Sequence, residues 1–422
     1  MKKHLLLIIA LSLTLTACKE SAKEDPVPVQ TPAPRAKTTI EFNEPGAVLE
    51  SSVVFSGLIH QKDPSIKEYG VVYSKNPEVD IKTGTKIVFG PEVGDSYRMR
   101  VNGLEEGTKY YAKAYLIHED NVVNYSQSRY EGNVYPFETA KSGSWARLYL
   151  PFRPDFSTGF FIGDILYIIP NSYETKRDLR TYDLNLDLWT SKGEIPFSPR
   201  KEGNAFSYNG KGYLMLGAKI DNSEKFDEVW EYDPATKVWT KKASCPVKMS
   251  AAAGFLLNGK YYVTRDSRGG EIYEYDIAAD TWTKKGAILE HIDNMSWGNS
   301  FVYNGKGYIY STSIWPFPAY NFAAYDPVNN SWSYIVAPIP GYQWSDSQAR
   351  NKHLSVLINN KIYTALGDNK YDMYSFDMIT EEWQKIGKYP AGSLSSEAMA
   401  VNYGNKILLL DGFTGYVYIP AK

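Results

Sequence analysis

Cysteine is nearly absent from this 422-residue chain, occurring only as Cys18 and Cys245. That excludes a disulfide framework, so stability has to come from core packing. Charge of one sign is missing too: 46 Lys and Arg stand against 48 Asp and Glu, with no local basic cluster. Nucleic acid is thereby excluded as a partner. Beyond the N-terminal segment no apolar run approaches the ~18 residues of a membrane-spanning helix, and no long stretch has helical periodicity. Histidine is scarce. His4 lies in the N-terminal segment and His60 and His118 in the region after it, which leaves His291 and His353, neither with metal-ligand spacing. There is no Gly-x-Ser-x-Gly, no phosphate loop and no Cys-x-x-Cys. No metal and no cofactor are expected, and catalysis is the less favoured class.

What is present begins with Met1-Lys2-Lys3 and the apolar run Leu5 to Leu15, a signal peptide over residues 1–17 that is too short to span a membrane. It ends in Leu15-Thr16-Ala17-Cys18, which resembles the bacterial lipobox, in which the cysteine is lipidated. Residues 18–37 continue with Lys19 to Asp25 and the proline-rich Pro26 to Pro34, a charged, extended tether that cannot form a core. A charged segment directly after the lipidated cysteine is similar to the export signal of surface lipoproteins of the Bacteroidota kind. The resemblance implies an exported protein, lipid-anchored in the outer membrane, and displayed at the cell surface where that segment is an export signal, or left on the periplasmic side where it is only a solvated spacer. The membrane is then a partner through the lipid alone.

Composition agrees with an all-β protein, since aromatic residues make up 14% of the chain and Tyr alone numbers 34. Residues 38–140 read as short alternating strands at Thr38–Phe42, Ser52–Ile59, Tyr69–Ser74, Ser96–Val101, Tyr110–His118 and Tyr135–Thr139, the spacing of a β-sandwich. Leu104-Glu105-Glu106-Gly107-Thr108-Lys109-Tyr110 and Pro136-Phe137-Glu138-Thr139 resemble the fibronectin type III family. The resemblance implies a spacer domain and a Tyr that ties its hydroxyl to the backbone at a corner between sheets. That family's Trp on an early core strand has no counterpart here.

From Trp145 to Lys422 the sequence repeats. Five times an aromatic-Asp pair is followed by Trp six residues after the Asp: Tyr182-Asp183 with Trp189, Tyr232-Asp233 with Trp239, Tyr275-Asp276 with Trp282, Tyr325-Asp326 with Trp332, and Phe376-Asp377 with Trp383. The Trp residues recur 43 to 51 positions apart, the length of one four-stranded propeller blade. Each repeat also carries a hairpin signal, as in Asn209-Gly210-Lys211, Asn258-Gly259-Lys260, Asn304-Gly305-Lys306 and Asn359-Asn360-Lys361, with looser forms at Gly163-Asp164 and Gly404-Asn405-Lys406. The repeated Asp suits a turn cap, a structural role. The pattern over residues 145–422 resembles the kelch family, in degenerate form because the usual glycine pair ending strand b is reduced to one glycine at Gly217, Gly367 and Gly412. Six hairpins but five aromatic-Asp-to-Trp elements leave the last blade one strand short. The orphan segment Trp145–Leu150 is expected to supply it and close the ring. The expected architecture is an all-β chain, a six-bladed kelch-like β-propeller preceded by a small fibronectin type III-like β-sandwich.

The expected function is binding of a glycan or a partner protein. Six of ten Trp open strand d and Trp230 lies on a strand, which leaves Trp297, Trp315 and Trp344 for loops on one face. Phe317, Tyr320 and Tyr342 would join them in an aromatic platform, with Asp346, Arg350 and Asn351 able to bond sugar hydroxyls. A second reading comes from the resemblance to bacterial kelch-like sialic-acid epimerases. Arg153, Arg200 and Arg350 each lie ten residues before a hairpin position and could meet an anionic sugar. Glu202, Lys352 and Glu397 lie two residues further on in the repeat, where a Glu could act as acid or base. The Tyr, His and cross-linked Cys set of a kelch-like copper oxidase is not recognisable. A third reading is a structural envelope protein with no small-molecule site.

Overall fold

The computed structural model describes residues 38–61, 64–89, 95–128, 130, 133–150, 158–169, 177–264, 270–287, 299–311, 321–337, 354–365, 372–390 and 398–421. Among them every element is a strand. The first region packs two sheets face to face. One is built from β1 (Thr39–Ile40), β2 (Ser52–His60) and β5 (Ser96–Asn102); the other orders β4 (Thr85–Val88), β3 (Ile66–Ser74), β6 (Lys109–His118) and β7 (Val123–Tyr125), with β8 (Tyr135–Glu138) also on β6. Alternate residues of both, including Val53 and Phe55 from one and Val71, Ala112 and Ala114 from the other, share a single buried core. At the corner before β6 the Tyr110 hydroxyl accepts the Glu105 N–H at 3.0 Å.

Among the described residues from 144 onward there are six four-stranded antiparallel sheets. In the first, Thr158–Ile162, Ile165–Ile169, Asp178–Asp183 and Leu188–Glu194 pair in chain order as strands a to d. Four more sheets follow within 204–242, 254–287, 299–336 and 354–388. The sixth takes its strands a to c from Met399–Tyr403, Lys406–Asp411 and Thr414–Ile419, and its fourth strand is β9 (Ser144–Tyr149), which pairs residue by residue with Thr414–Ile419.

The repeat acquires a physical meaning in the c–d hairpins. The aromatic of each aromatic-Asp pair lies opposite the repeat Trp, as in Tyr182 with Trp189 and Phe376 with Trp383, and the rings sit 4.4 to 5.0 Å apart. Asp183, Asp233, Asp326 and Asp377 each accept N–H groups two and three residues ahead through Oδ1, capping the turn. The lysine of the a–b hairpin reaches the same Asp in four sheets, Lys211–Asp233, Lys260–Asp276, Lys306–Asp326 and Lys361–Asp377, at 3.5 to 3.9 Å.

Neighbouring sheets are joined by aromatic pairs. These are Tyr167–Tyr232, Phe206–Tyr261, Tyr262–Tyr325, Phe322–Phe376 and Tyr363–Tyr418, at centroid separations of 4.0 to 5.7 Å. The sixth sheet meets the first through Phe161–Tyr403 at 5.7 Å and an apolar seam of Leu166, Ile168, Leu408 and Leu410. The packing is therefore cyclic, and the high aromatic content is spent at the junctions.

The sandwich is welded to this ring. Arg100 on β5 donates from Nε to Asn185 O at 2.8 Å and from Nη2 to Leu184 O, while Arg98 Nη1 reaches Leu186 O and Asp187 O at 3.1 and 2.8 Å. Lys406 pairs with Glu50 at 2.9 Å, and Ala47, Leu49 and Val54 are buried against Leu148 and Leu150. At Gly46 a Cβ would come within 2.3 Å of Asp187 Oδ2, so a larger residue there would have to push that carboxylate aside.

Candidate functional site

The best-defined polar site of the ring lies where the chain enters strand a of the second sheet. Pro196 and Pro199 keep this approach out of regular pairing, and Arg200 turns inward. Its guanidinium is fully buried. Nη2 pairs with Glu228 Oε2 at 2.7 Å, Nη1 donates to Leu216 O at 3.1 Å, Nε donates to Ser198 O at 3.2 Å, and the plane lies 4.2 Å from the Phe226 ring. Burial lowers the Arg200 pKa, and Glu228 works against that shift. For Glu228, burial pushes up, but hydrogen bonds from Arg200, Lys241 and Trp230 prevail and hold it at about 2. A charge buried this deeply is tolerable only with its partners in place.

Around this clamp four segments are woven together. Lys201 and Ala218 exchange backbone hydrogen bonds at 2.9 Å, Gly217 N–H reaches Met249 O at 2.9 Å, and Ala251 N–H reaches Glu202 O at 3.1 Å. Gly217 has φ +98, and a Cβ there would stand 2.8 Å from Lys201 O; the single glycine kept at the end of strand b is required by this approach. Glu202, Leu216 and Ala251 hold positive φ without being glycine, at 61°, 60° and 53°. Such backbone costs on the order of 1 kcal/mol per residue and persists only where its surroundings over-determine it.

The weave presents Lys201 and Glu202. Their side chains are 13% and 8% exposed and pair at 3.6 Å, a long separation that leaves both able to bond a third group. An ammonium and a carboxylate held side by side and mostly out of water can donate to and accept from a hydroxyl at once. Metal chemistry finds no support here: among the described residues no group of three or more His, Cys, Asp or Glu could hold an ion. Cys245 is packed in the core, where burial pushes its thiol up to about 11, far from a reactive thiolate.

Of the residues singled out in the sequence, Arg200 and Glu202 come together here, but in different roles. Arg200 is committed inside the protein and exposes nothing to a ligand. Glu202 lies beside it with a small part of its side chain at the surface. Trp297, Trp315, Phe317, Tyr320, Tyr342, Trp344, Asp346, Arg350, Arg153, Lys352, Glu397, His291, His353 and Cys18 lie outside the described residues. Lys201 and Glu228 were not anticipated. Lys201 stood between two flagged positions, and Glu228 had the signal of a carboxylate two residues before Trp230 on the facing strand.

No family model matches the chain. Among curated proteins it is similar to Kelch-like protein 25 of Xenopus tropicalis, 26% identical over 242 residues, which cover 53% of this chain and 38% of that protein. The chain thus matches well under half the length of that relative. Among solved structures it is similar to that of YjhT, with a TM-score of 0.53 and 16% identity over 65% of this chain and 97% of the other. With its meandering four-stranded sheets, the fold of the ring is that of a kelch-type β-propeller.

Proposed function

We propose that this kelch-type propeller is the binding module of a cell-envelope lipoprotein of the Bacteroidota surface kind, taking a glycan or a partner protein. On this reading the six sheets are its six blades and the N-terminal region is a fibronectin type III-like carrier, held rigidly to the ring instead of swinging from it. The Lys201–Glu202 pair is the observation that carries the binding reading, because strained backbone and a buried arginine clamp are spent on presenting it. Screening the full-length protein on a glycan array and titrating the best hit tests it. Lys201→Met and Glu202→Gln should each weaken that ligand ~10-fold or more, the scale of one charge-assisted hydrogen bond, with the melting temperature unchanged. If both variants bind as tightly as wild type, this site is not the one used.

The same pair favours one second reading, a sugar-modifying propeller in which Glu202 moves a proton and Lys201 holds the oxygen from which it leaves. Incubating the protein with separated sugar anomers or epimers, sialic acids included, decides it: acceleration abolished in Glu202→Gln would make the protein an enzyme. For the anchor, Cys18→Ser is expected to move the protein from the membrane fraction to the soluble fraction and to remove fatty-acid labelling. Retained labelling would end the lipoprotein reading.

A further inference from the structure

The junction between the sandwich and the ring carries a cleft of about 890 Å³, within the size range of small-molecule sites. It is lined from the sandwich side by segment 43–48 and Arg98, and from the ring side by Arg147, Asp187, Trp189 and Phe413. Its walls are fixed beforehand. Arg100 is hydrogen-bonded to the Asn185 carbonyl, Arg98 to those of Leu186 and Asp187, and the seam of Leu49, Val54 and Leu148 is buried beside them. A ligand entering here orders little of the protein.

The uncommitted polar groups of the cleft are cationic. Arg147 projects from β9 as an exposed side chain and makes no hydrogen bond or ion pair among the described residues, in contrast to Arg100 and Arg200. Arg98 spends Nη1 on two carbonyls, and its Nε and Nη2 donors have no partner among the described residues. The carboxylates of the cleft are partly engaged: Asp187 accepts the Tyr182 hydroxyl at 2.6 Å through Oδ1 and lies in the field of Arg98 and Arg100, and Glu44 has a partner, so Arg147 is the cation of the cleft with least to oppose it. Two guanidinium groups with free donors match an acceptor-only group such as a carboxylate.

The apolar part of the lining is aromatic. Phe413 occupies the tight turn Gly412-Phe413 between two strands of the sixth sheet, a place that ordinarily holds a polar residue, and is 63% exposed. Trp189 is half-buried and lies with its far face on Tyr182 at 4.4 Å. Flat rings suit the apolar faces of sugars, and arginine suits a sugar carboxylate. The geometry points to a second ligand site at this junction, one that takes a carboxylate-bearing saccharide, with Arg147 pairing the carboxylate and Phe413 stacking on a ring. It is separate from the Lys201–Glu202 site and does not depend on it.

Isothermal titration of the full-length protein in detergent at low salt, with α-1,4-linked trigalacturonate as probe, tests the assignment. The free acid is expected to bind, and its fully methyl-esterified form to bind at least 10-fold more weakly, the loss expected for one charge-assisted pair. Arg147→Ala and Phe413→Ala should each lower the affinity for the acid ~10-fold or more. Both side chains are exposed, so the melting temperature should stay put, and Glu202→Gln should leave the titration unchanged. Absence of binding, equal binding of acid and ester, or unaltered affinity in both variants would overturn the assignment. So would tighter binding of hexaglutamate than of trigalacturonate, which would give the cleft to an acidic peptide.

Discussion

Leu148→Asp is expected to unfold the ring or leave it open, a loss of about 5 kcal/mol from a single side chain on a strand at the ring's outer edge. Leu148 is 3% exposed and lies in the seam with Ala146, Leu150, Leu408, Leu410, Val417 and Ile419. Removing a fully buried leucine forfeits roughly 2 to 5 kcal/mol, and the carboxylate put in its place has no partner among those apolar neighbours. A typical domain has only about 5 to 15 kcal/mol of net stability. The sixth sheet depends on this strand throughout its length, since β9 pairs along all of Thr414–Ile419 and Trp145 packs on Tyr389, Tyr416 and Tyr418. Arg147→Ala, one residue away but facing solvent, should change stability by no more than about 0.5 kcal/mol. Urea unfolding and size-exclusion chromatography read the contrast. If Leu148→Asp kept the wild-type midpoint and stayed monodisperse, the ring would not be held by this strand.

The second large effect is expected at Arg200. Arg200→Met removes the fully buried partner of the pair with Glu228 and is expected to cost about 3 kcal/mol, while Glu228 keeps its bonds from Lys241 and Trp230. Glu228 loses its strongest hydrogen bond, and the carbonyls of Leu216 and Ser198 lose their donor. The pH dependence gives an independent check. The Glu228 carboxyl is depressed in the folded protein to about 2, so the unfolded chain takes up its proton first as the solution is acidified. Its stabilising contribution is fully present above the ordinary carboxylate range and is lost as pH falls from about 4.5 towards 2. Wild type should therefore weaken across that window, and Arg200→Met should weaken less, because the part of the depression that Arg200 supplies has gone. An Arg200→Met midpoint within error of wild type at neutral pH would refute the clamp.

The repeat could be read from the sequence because its chemistry is local. The Asp of an aromatic-Asp pair caps a turn two and three residues ahead, and its aromatic must face a Trp across the same hairpin, so their spacing is rigid. The orphan status of Trp145–Leu150 was a matter of counting strands against turns. Arg200 escaped correct reading for the opposite reason. Between Pro196 and Pro199 there is no alternation to say which way a side chain points, and its partner Glu228 is 28 residues away. The edge strands Thr85–Val88 and Val123–Tyr125 were missed because they are short and carry few buried residues to mark them. The junction cleft had no local signature at all, since its walls come from positions as far apart as Asn43 and Phe413.

The closing strand also sets an order of events during biosynthesis. β9 is made about 270 residues before its partner Thr414–Ile419, so a chain emerging N-terminus first has a finished sandwich and an unclosed arc of blades until that partner is made. Contacts this distant in sequence form slowly, because loop closure must precede any gain from pairing. During the wait β9 is an unsatisfied strand edge, open to pairing with another copy's Thr414–Ile419 hairpin. The strand that completes the sixth sheet is thus the one whose pairing is most delayed, and any exchange between copies would have to occur there.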